Sequence, residues 1–496
     1  MRKGLTRAVM AALAMFATGV ANAAPAIDAG RWQAMARADL EAMHARIVEG
    51  HPGVIDPTNP GFNTWVETGY QRAKTYIPYV MSYDTALAVM HSYGEGFQDG
   101  HLMYSDDIRR DFPIWVTGWN LAWKLDRYMV TTVLPDWPVP LPPAGAIWTG
   151  CDGLPAEEVM QTRIAPFSDR RASEQSRKHR LMVLSMRLPV AQNLRECSFR
   201  TASGETKRLP VAYRPITTKQ FFDAMTSTHD ASTRSANAFE VRDGVLWVRA
   251  GNFQLRPEST DRQELETMLA GLAKVRDIRA IVFDSRGNRG GDSGIGDQIF
   301  KAATGGLDFD QTNLDSLPRY HAQWRVSDYL VRFLDSNLKD TKELYGADSA
   351  RVAEEVEFRD KVAAARAAGQ LWVEQDAGRT ITRADVVARH GRLRRSDAKV
   401  ALLTDSECAS ACLDFADTVL QVPGVVHTGQ TTGADSVYMV GSSSRLPSGN
   451  ALMMPVKVWR NRTRGNNQAL VPDVTVDLTG GEDAVRHDVL RALGLQ

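Results

Sequence analysis

Apolar residues recur at helical spacing through the first hundred positions of the chain. In RWQAMARADLEAMHARIVEG and YDTALAVMHSYGEGF they lie three and four positions apart, as on one face of an amphipathic helix. Two turn-like stretches interrupt the pattern, His51-Pro52-Gly53 and Pro57-Thr58-Asn59-Pro60. The pattern predicts a helical N-terminal domain at residues 24–111.

From residue 112 to 225 the pattern changes to short runs separated by turns. YMVTTVL, AIWTGCDG and RLPVAYRPI have the β-branched and aromatic content of strands, and PDWPVPLPPAG is a proline-rich loop. In AGAIWTGCDGLPAEEVMQ a strand, a glycine turn and a helix start follow one another, as they do in PDZ-like domains. We therefore predict a β-rich, PDZ-like middle module.

Strands and helices alternate after a polar linker at residues 226–237. GVLWVRAGNF, IRAIVFDSRGN and KVALLTD predict buried strands, while residues 261–275 and SACLDFADTVLQV have apolar residues at helical spacing. Such alternation is typical of an α/β domain with largely parallel strands. We predict this domain at residues 238–496, with a polar helical insertion at 308–395. The predicted fold class is thus a multidomain α/β protein.

The first 23 residues have the order of a secretory signal peptide. MRKGLTR is basic, AVMAALAMFATGV is apolar, and Ala21-Asn22-Ala23 has the small-x-small pattern of a cleavage site. The apolar run of about 13 residues is shorter than the ~20 that span a bilayer, which favours a cleaved signal over an anchor. We expect a periplasmic or secreted protein without a membrane span after cleavage. Four cysteines are able to pair in such a compartment: Cys151, Cys197, Cys408 and Cys412.

The charge balance argues against two classes of partner. Lysine plus arginine and aspartate plus glutamate each number 59, so the formal net charge is zero. Without a basic excess, neither nucleic acid nor an anionic membrane surface is an expected partner. No metal or other cofactor is predicted, because no histidine or carboxylate cluster near the candidate residues has ligand spacing. The sequence carries no signal for the oligomeric state.

The stretch TDSECASACLDF contains a candidate nucleophile. Ser410 follows a buried strand at the first turn of a predicted helix, where free backbone N–H groups and the helix dipole favour a developing negative charge. One alternative is that Ala409 and Ala411 are small only because the helix packs closely on the sheet. Another is that Cys408 or Cys412 carries the chemistry. Cysteines four apart on a helix are also within disulfide distance.

A second glycine-rich turn lies in IVFDSRGNRGGDSG. An apolar strand ends at Asp284, and the chain then turns through Gly287, Gly290 and Gly291. Glycines there allow backbone N–H groups to approach a substrate oxygen closely. The spacing matches neither the P-loop nor the dinucleotide fingerprint, so the turn favours an oxyanion rather than a phosphate.

These motifs resemble those of the C-terminal-processing, or tail-specific, serine proteases. DSRGNRGG is similar to the family's D-x-R-G-N-x-G-G turn, and ECASACLD to its S-A-S-A-S-E nucleophile stretch. VLWVRAGNF resembles the first strand of its catalytic core, and LPSGNALMMP and LVPDVTVD its closing strands and P-D turn. The resemblance implies a ClpP/crotonase-like core with Ser410 as nucleophile. It also implies an oxyanion hole from the N–H groups of Ala411 and of Gly290 or Gly291, with Gly290 preferred.

The general base departs from the processing-type pattern. The position of the family's lysine base is Asp435 here, and Lys457 is the only lysine after Ser410. The tricorn-like branch of the family uses a histidine from the preceding helical segment, and FQDGHLMY resembles its D-G-H stretch. The resemblance therefore implies His101 as the base. A histidine ordinarily titrates near neutral pH, which suits that role.

A serine–histidine pair needs a third group to orient the imidazole. The tricorn-like branch has a glutamate shortly before the P-D turn, and Asn466 stands at that spacing in RGNNQALVPD. The resemblance thus implies Asn466, with Asp99 and Glu95 as alternatives near His101 in the sequence. Two other histidines are expected to have surface or structural roles: His427 and His487.

Together these features predict an exported serine-type endopeptidase that cleaves polypeptides through an acyl-enzyme. By analogy with the family, the middle module is expected to bind peptide as an added strand. One alternative is a catalytically silent peptide-binding protein on the same scaffold, which the missing lysine and Asn466 favour. Another is a serine esterase or amidase that acts on small substrates.

Overall fold

The computed structural model describes most of the chain after the predicted signal peptide. The described residues are 29–108, 112–124, 127–171, 173–189, 193–226, 236–255, 260–306, 321–375, 398–422, 424–462 and 464–495. The signal peptide predicted at residues 1–23 lies outside these ranges, as do parts of the predicted insertion. Within these ranges, no helix combines the length and apolarity needed to cross a bilayer.

Three helices form the N-terminal segment: α1 (Ala29–Gly50), α2 (Pro60–Lys74) and α3 (Tyr83–Gly94). The start of α2 is fixed by Asn59, whose side chain accepts the Phe62 N–H, and by proline in the first turn. A capping box between Ser82 and Thr85 fixes the start of α3. The chain then enters a short strand, β1 (Met103–Ser105).

The middle segment, where a β-rich module is predicted, is rich in antiparallel strands. Its strands are β2 (Ile114–Val116), β3 (Trp119–Lys124), β4 (Arg127–Val133), β5 (Ile147–Cys151), β6 (Leu154–Pro155), β7 (Glu196–Arg200), β8 (Thr206–Pro210) and β9 (Arg214–Ile216). One sheet has the order β3-β4-β5-β7-β8 with β6 beside β5, and β2 pairs with β9. Three helices accompany them: α4 (Ala156–Val159), α5 (Glu174–Leu184) and α6 (Thr218–Thr226).

A second sheet forms the α/β part of the chain. Its strands are β10 (Ala238–Arg242), β11 (Val245–Arg249), β12 (Ala280–Asp284), β15 (Lys399–Thr404), β16 (Val426–Gly429) and β19 (Val474–Thr475), in that order across the sheet. All neighbours are parallel except β10 and β11. The associated helices are α7 (Asp261–Leu272), α8 (Ser293–Thr304), α11 (Ala411–Val419) and α12 (Glu482–Ala492). Every residue of β12 is buried, because apolar clusters cover both faces of the sheet.

A third sheet joins the N-terminal helices to the C-terminal strands. It consists of β1, β13 (His321–Arg325), β14 (Trp372–Gln375), β17 (Tyr438–Arg445) and β18 (Ala451–Arg460), with β18 paired to β1, β13 and β17. Two helices of the predicted insertion, α9 (Asp328–Tyr345) and α10 (Ala350–Ala367), pack beside it.

The N-terminal helices do not enclose a hydrophobic core of their own. Leu40 and Met43 of α1 share one buried cluster with Leu330 of α9 and with Met454 and Val456 of β18. The helices before residue 111 therefore share a core with the C-terminal strands, while the strands of the middle segment pack around a second apolar cluster. The described part of the insertion packs into this common core as well. These long-range contacts bring the segment after α3 beside the parallel sheet.

Candidate active site

Ser410 occupies the N-cap position of α11, after the loop that follows β15. Its backbone has φ 55° and ψ −126°, a region that residues with a side chain rarely adopt. Such a conformation costs about 1–3 kcal/mol and persists only where the surroundings enforce it. It places the partly buried hydroxyl at the positive end of a helix, as the sequence analysis predicts.

His101 lies against Ser410, although the two are 309 residues apart in the chain. His101 Nε2 is 3.2 Å from Ser410 Oγ. When the Ser410 hydroxyl donates to Nε2, the ring proton of the neutral imidazole is on Nδ1. That Nδ1 is buried and has no hydrogen-bond partner among the described residues. The base and the nucleophile are thus in contact, but no hydrogen bond between Nδ1 and a described residue orients the His101 ring.

Asp99 is the carboxylate beside the His101 ring. Its Oδ1 is 3.9 Å from His101 Nδ1, and it accepts hydrogen bonds from the His101 backbone N–H at 3.0 Å and the Ser436 hydroxyl at 2.6 Å. The alternative carboxylate, Glu95, is instead 3.8 Å from His91 at the end of α3. Of the two alternatives to Asn466, the geometry favours Asp99.

Asn466 does not contact the His101 ring. Its side chain is exposed, and its Oδ1 accepts the Val437 N–H at 3.0 Å. The next residue, Asn467, turns toward the segment that holds His101, because its Nδ2 donates to the Gln98 carbonyl at 2.6 Å. Asn467 Oδ1 is buried without a hydrogen-bond partner among the described residues. The structure therefore does not support the spacing argument that selected Asn466.

His51 is a residue that the sequence analysis missed. Its Nε2 is 2.9 Å from the Asp99 carboxylate, on the side away from His101. The only signal in the sequence was its position in the break after the first helical stretch. His427, predicted to be structural, is buried at the parallel sheet, where its Nε2 is 2.8 Å from Thr404 Oγ1.

The glycine-rich turn lies directly against Ser410. Gly290 has φ 91°, and its N–H already donates to Asn288 Oδ1 at 2.8 Å. The N–H groups of Gly291 and Ala411 have no acceptor among the described residues. The Gly290 N–H, the donor preferred from the sequence, is thus engaged by Asn288, while the Gly291 N–H is available to a ligand.

Gly290 also leaves no room for a side chain. A Cβ at this position would lie 2.7 Å from the Ala409 carbonyl oxygen and 2.8 Å from Ser410 Cβ. We expect Gly290→Ala to displace the nucleophile and lower kcat by about 10²- to 10³-fold. Gly346→Ala is the matched control, because Gly346 has φ 83° but open space around its Cβ position. Equal kcat in the two variants would show that the close approach has no catalytic importance.

No described lysine hydrogen-bonds Ser410. Burial lowers the pKa of Lys457 to about 8, a value that would suit a base, but its Nζ donates to Gln375 at 3.1 Å and lies over tryptophan rings. Asp435, at the position of the family's lysine, is buried and paired with arginine. The geometry agrees with the sequence argument against a serine–lysine pair.

A buried ionic cluster lies below α11. Arg464, whose side chain is fully buried, contacts Asp414 at 3.5 Å, Asp435 at 3.1 Å and Asp417. Arg462 contacts Asp435 at 3.0 Å. The cluster connects the helix that begins at the nucleophile to the loop that carries Asn466 and Asn467.

All four cysteines form disulfides. Cys408 bridges to Cys412, on either side of Ser410, and Cys151 bridges to Cys197 between β5 and β7. No free thiol is therefore available for the alternative of a cysteine nucleophile. Among the described residues, no group of three or more His, Cys, Asp or Glu side chains is placed to bind a metal ion.

Residues 245–476, which carry Ser410 and the glycine-rich turn, match the sequence profile of peptidase family S41. This part of the chain belongs to that family. The predicted membership of the C-terminal-processing proteases is confirmed, and the chain is a serine-type peptidase, a hydrolase. The curated proteins, compared by sequence, give no match to the peptidase.

Solved structures show the same fold over nearly the whole peptidase. Mature CPAF complexed with lactacystin has 13% identity and a TM-score of 0.52, covering 94% of this chain and 97% of that chain. A serine-to-alanine mutant of CPAF has 12% identity and a TM-score of 0.55, covering 93% and 96%. The photosystem II D1 C-terminal processing protease gives 13% identity and a lower TM-score of 0.33, covering 93% and 97%. The likeness to CPAF establishes a shared fold.

Proposed function

We propose that the peptidase is an exported endopeptidase that cleaves polypeptides through a Ser410–His101 acyl-enzyme mechanism. The observation that carries the proposal is the 3.2 Å contact between His101 Nε2 and Ser410 Oγ at the start of α11. A hydroxyl becomes an effective nucleophile when a positioned base takes its proton as it attacks. The use of histidine rather than lysine corresponds to the tricorn-like branch of the family.

The reaction follows from the groups around Ser410. Ser410 Oγ attacks the scissile carbonyl carbon as His101 Nε2 takes the hydroxyl proton. The N–H groups of Ala411 and Gly291, aided by the dipole of α11, stabilise the oxyanion. His101 returns the proton to the leaving amine, and water then hydrolyses the ester by the same steps. A shift of about 1 Å brings Nδ1 within hydrogen-bond distance of Asp99, which then stabilises the imidazolium.

Two further features support the location and the substrate class. The signal peptide predicted at residues 1–23 and two disulfides are typical of proteins in an oxidising compartment outside the cytoplasm. The antiparallel sheet of the middle segment supplies strand edges on which an extended polypeptide can pair. We also propose that the middle segment is a PDZ-like module and that the catalytic part has a ClpP/crotonase-like fold.

A fluorophosphonate probe tests the proposal. We expect the mature peptidase to acquire one phosphonyl group, located on Ser410 by peptide mass spectrometry, and to degrade an unfolded protein. A peptidase that binds unfolded polypeptide but neither reacts nor cleaves would be the silent binding protein instead. Labelling with turnover of a short ester, but no cleavage of unfolded protein, would identify an esterase.

A further inference from the structure

A buried histidine lies behind the carboxylate that faces His101. His51 Nε2 is 2.9 Å from Asp99 Oδ2, and neither side chain has more than 1% of its surface exposed. Asp99 Oδ1, the other oxygen, faces His101 Nδ1 at 3.9 Å. One carboxylate therefore lies between two imidazole rings, and the second ring contacts Ser410 at 3.2 Å.

The tautomer of His51 is determined by the backbone N–H of Gly53, two residues further along the chain. His51 Nδ1 accepts the Gly53 N–H at 3.0 Å, so the neutral ring carries its proton on Nε2 and donates it to Asp99. The ring is held between aromatic groups, stacked on Phe62 at 4.3 Å and edge-on to Tyr438 at 5.0 Å. Burial lowers the pKa of His51, which keeps the ring neutral.

Asp99 is kept ionised by the hydrogen bonds that it accepts. Burial alone raises the pKa of a carboxyl group, but the hydrogen bonds from His51 and from the Ser436 hydroxyl hold the pKa of Asp99 below its ordinary value. Its Oδ1 receives the Ser436 hydroxyl and the His101 backbone N–H. Both oxygens are therefore anchored, and Oδ1 is aimed at the face where the imidazolium forms.

We propose that His51 is a positioning residue that orients Asp99 toward His101, in the order Ser410–His101–Asp99–His51. This inference rests on the proposed serine-peptidase mechanism. Because His51 is a neutral donor, it fixes the carboxylate without cancelling its charge. The negative charge of Asp99 then remains available to the His101 imidazolium in the transition state. Displacing a catalytic group by about 1 Å costs on the order of 10²-fold in rate.

Other charged or titratable groups also act on the pair. Arg325 donates to the His51 carbonyl at 2.7 Å, and its charge lowers the pKa of His51, whereas Asp56 raises it. Asp99 contributes to raising the pKa values of Arg171 and Tyr438. None of these groups changes in the variants below, so a change in the pH profile is attributable to the His51–Asp99 bond.

The test compares His51→Phe and His51→Gln in the full mature chain. We expect His51→Phe to lower kcat by about 10²-fold with little change in KM. Without the His51 donor the pKa of Asp99 rises, the carboxylate stabilises the His101 imidazolium less, and the acid limb of kcat/KM moves to lower pH. His51→Gln keeps an N–H donor and should restore part of kcat and return the limb toward its original position.

A double-mutant cycle with Asp99→Asn makes the test decisive. If His51 acts through Asp99, His51→Phe should have almost no further effect on kcat in the Asp99→Asn background. Equal losses in both backgrounds, or a loss of kcat that only follows the folded fraction with an unmoved acid limb, would overturn the inference. Unimpaired fluorophosphonate labelling of the wild type in that case would leave the proposed function standing.

Discussion

We expect Ser410→Ala to abolish fluorophosphonate labelling. Both Ser410→Ala and His101→Ala should lower kcat by about 10⁴- to 10⁶-fold, because one removes the nucleophile and the other the base. His101 Nε2 contacts the Ser410 hydroxyl at 3.2 Å. The two residues act as one unit. The double variant should therefore be hardly slower than either single variant in single-turnover assays.

His487→Ala is the matched control for loss of a histidine. His487 lies on α12, which packs on the parallel sheet, and is expected to have no catalytic role. The kcat of the His487→Ala variant should equal that of the wild type. A His101→Ala peptidase that retains kcat within a factor of about ten would remove His101 as the general base, and the additional loss in the double variant would measure a different partner of Ser410.

The largest expected effect on stability is that of Arg464→Met. Arg464 is fully buried among Asp414, Asp417 and Asp435, and its removal leaves these carboxylates without the arginine that contacts all three, while Arg462 contacts Asp435. Breaking a buried ion pair on one side typically costs about 3–5 kcal/mol in free energy of unfolding. Chemical denaturation followed by tryptophan fluorescence measures this loss.

The destabilisation caused by Arg464→Met should increase with pH. Burial raises the pKa of Asp417 to about 6, so the folded state binds its proton more tightly than the unfolded state. The protonated Asp417 therefore adds to the free energy of unfolding at low pH, and this stabilisation is lost as pH rises from about 4 to about 6. Without Arg464 the pKa values of the cluster rise further, so Arg464→Met should be less destabilised at pH 5 than at pH 8.

The control for Arg464→Met is a surface ion pair of the same residue types. Arg332 contacts the Glu49 carboxylate at 2.8 Å, but its side chain is 61% exposed. Arg332→Met should change the free energy of unfolding by less than about 1 kcal/mol. A loss from Arg464→Met that is equally small, or the same at pH 5 and pH 8, would contradict the account of the cluster.

The sequence pattern predicts those residues of the site whose positions depend only on one strand and the turn that follows it. A buried strand followed by small residues and an apolar helix leaves little choice for Ser410, and the observed α11 begins one residue later. The glycine turn after β12 was predicted for the same reason. The choice between Gly290 and Gly291 depends on the direction of one amide, because the Gly290 N–H donates to Asn288.

The partners of His101 depend on contacts between distant segments. Only the family resemblance selected His101, since a lone histidine in a loop has no local signature. Asn466 was selected by spacing, but Asn467 has φ 54° and its side chain turns the other way, so a register of one residue decides which side chain faces the site. His51 appeared in the sequence only as part of a turn, and its role depends on packing against Asp99.

The division of the chain was predicted from the pattern of apolar and polar residues. That pattern indicates the type of each element but not which elements pack together. The helices of the first hundred residues formed as predicted, yet they share their core with β18 and with α9 of the insertion. Helical periodicity specifies that a face is buried and is silent about its partner. The pairing of β1 with β18 across residues 103 and 453 is a contact of this kind.

That pairing couples chemistry to the completion of folding. On the proposed mechanism, a chain whose amino-terminal segment has not yet docked has its hydroxyl without a proton acceptor, because His101 arrives only when β1 adds to β18. Newly made or partly denatured molecules in which this pairing is missing should consequently be inert toward one another. Hydrolytic competence then requires a completed fold, which would spare the population from digesting its own unfolded members.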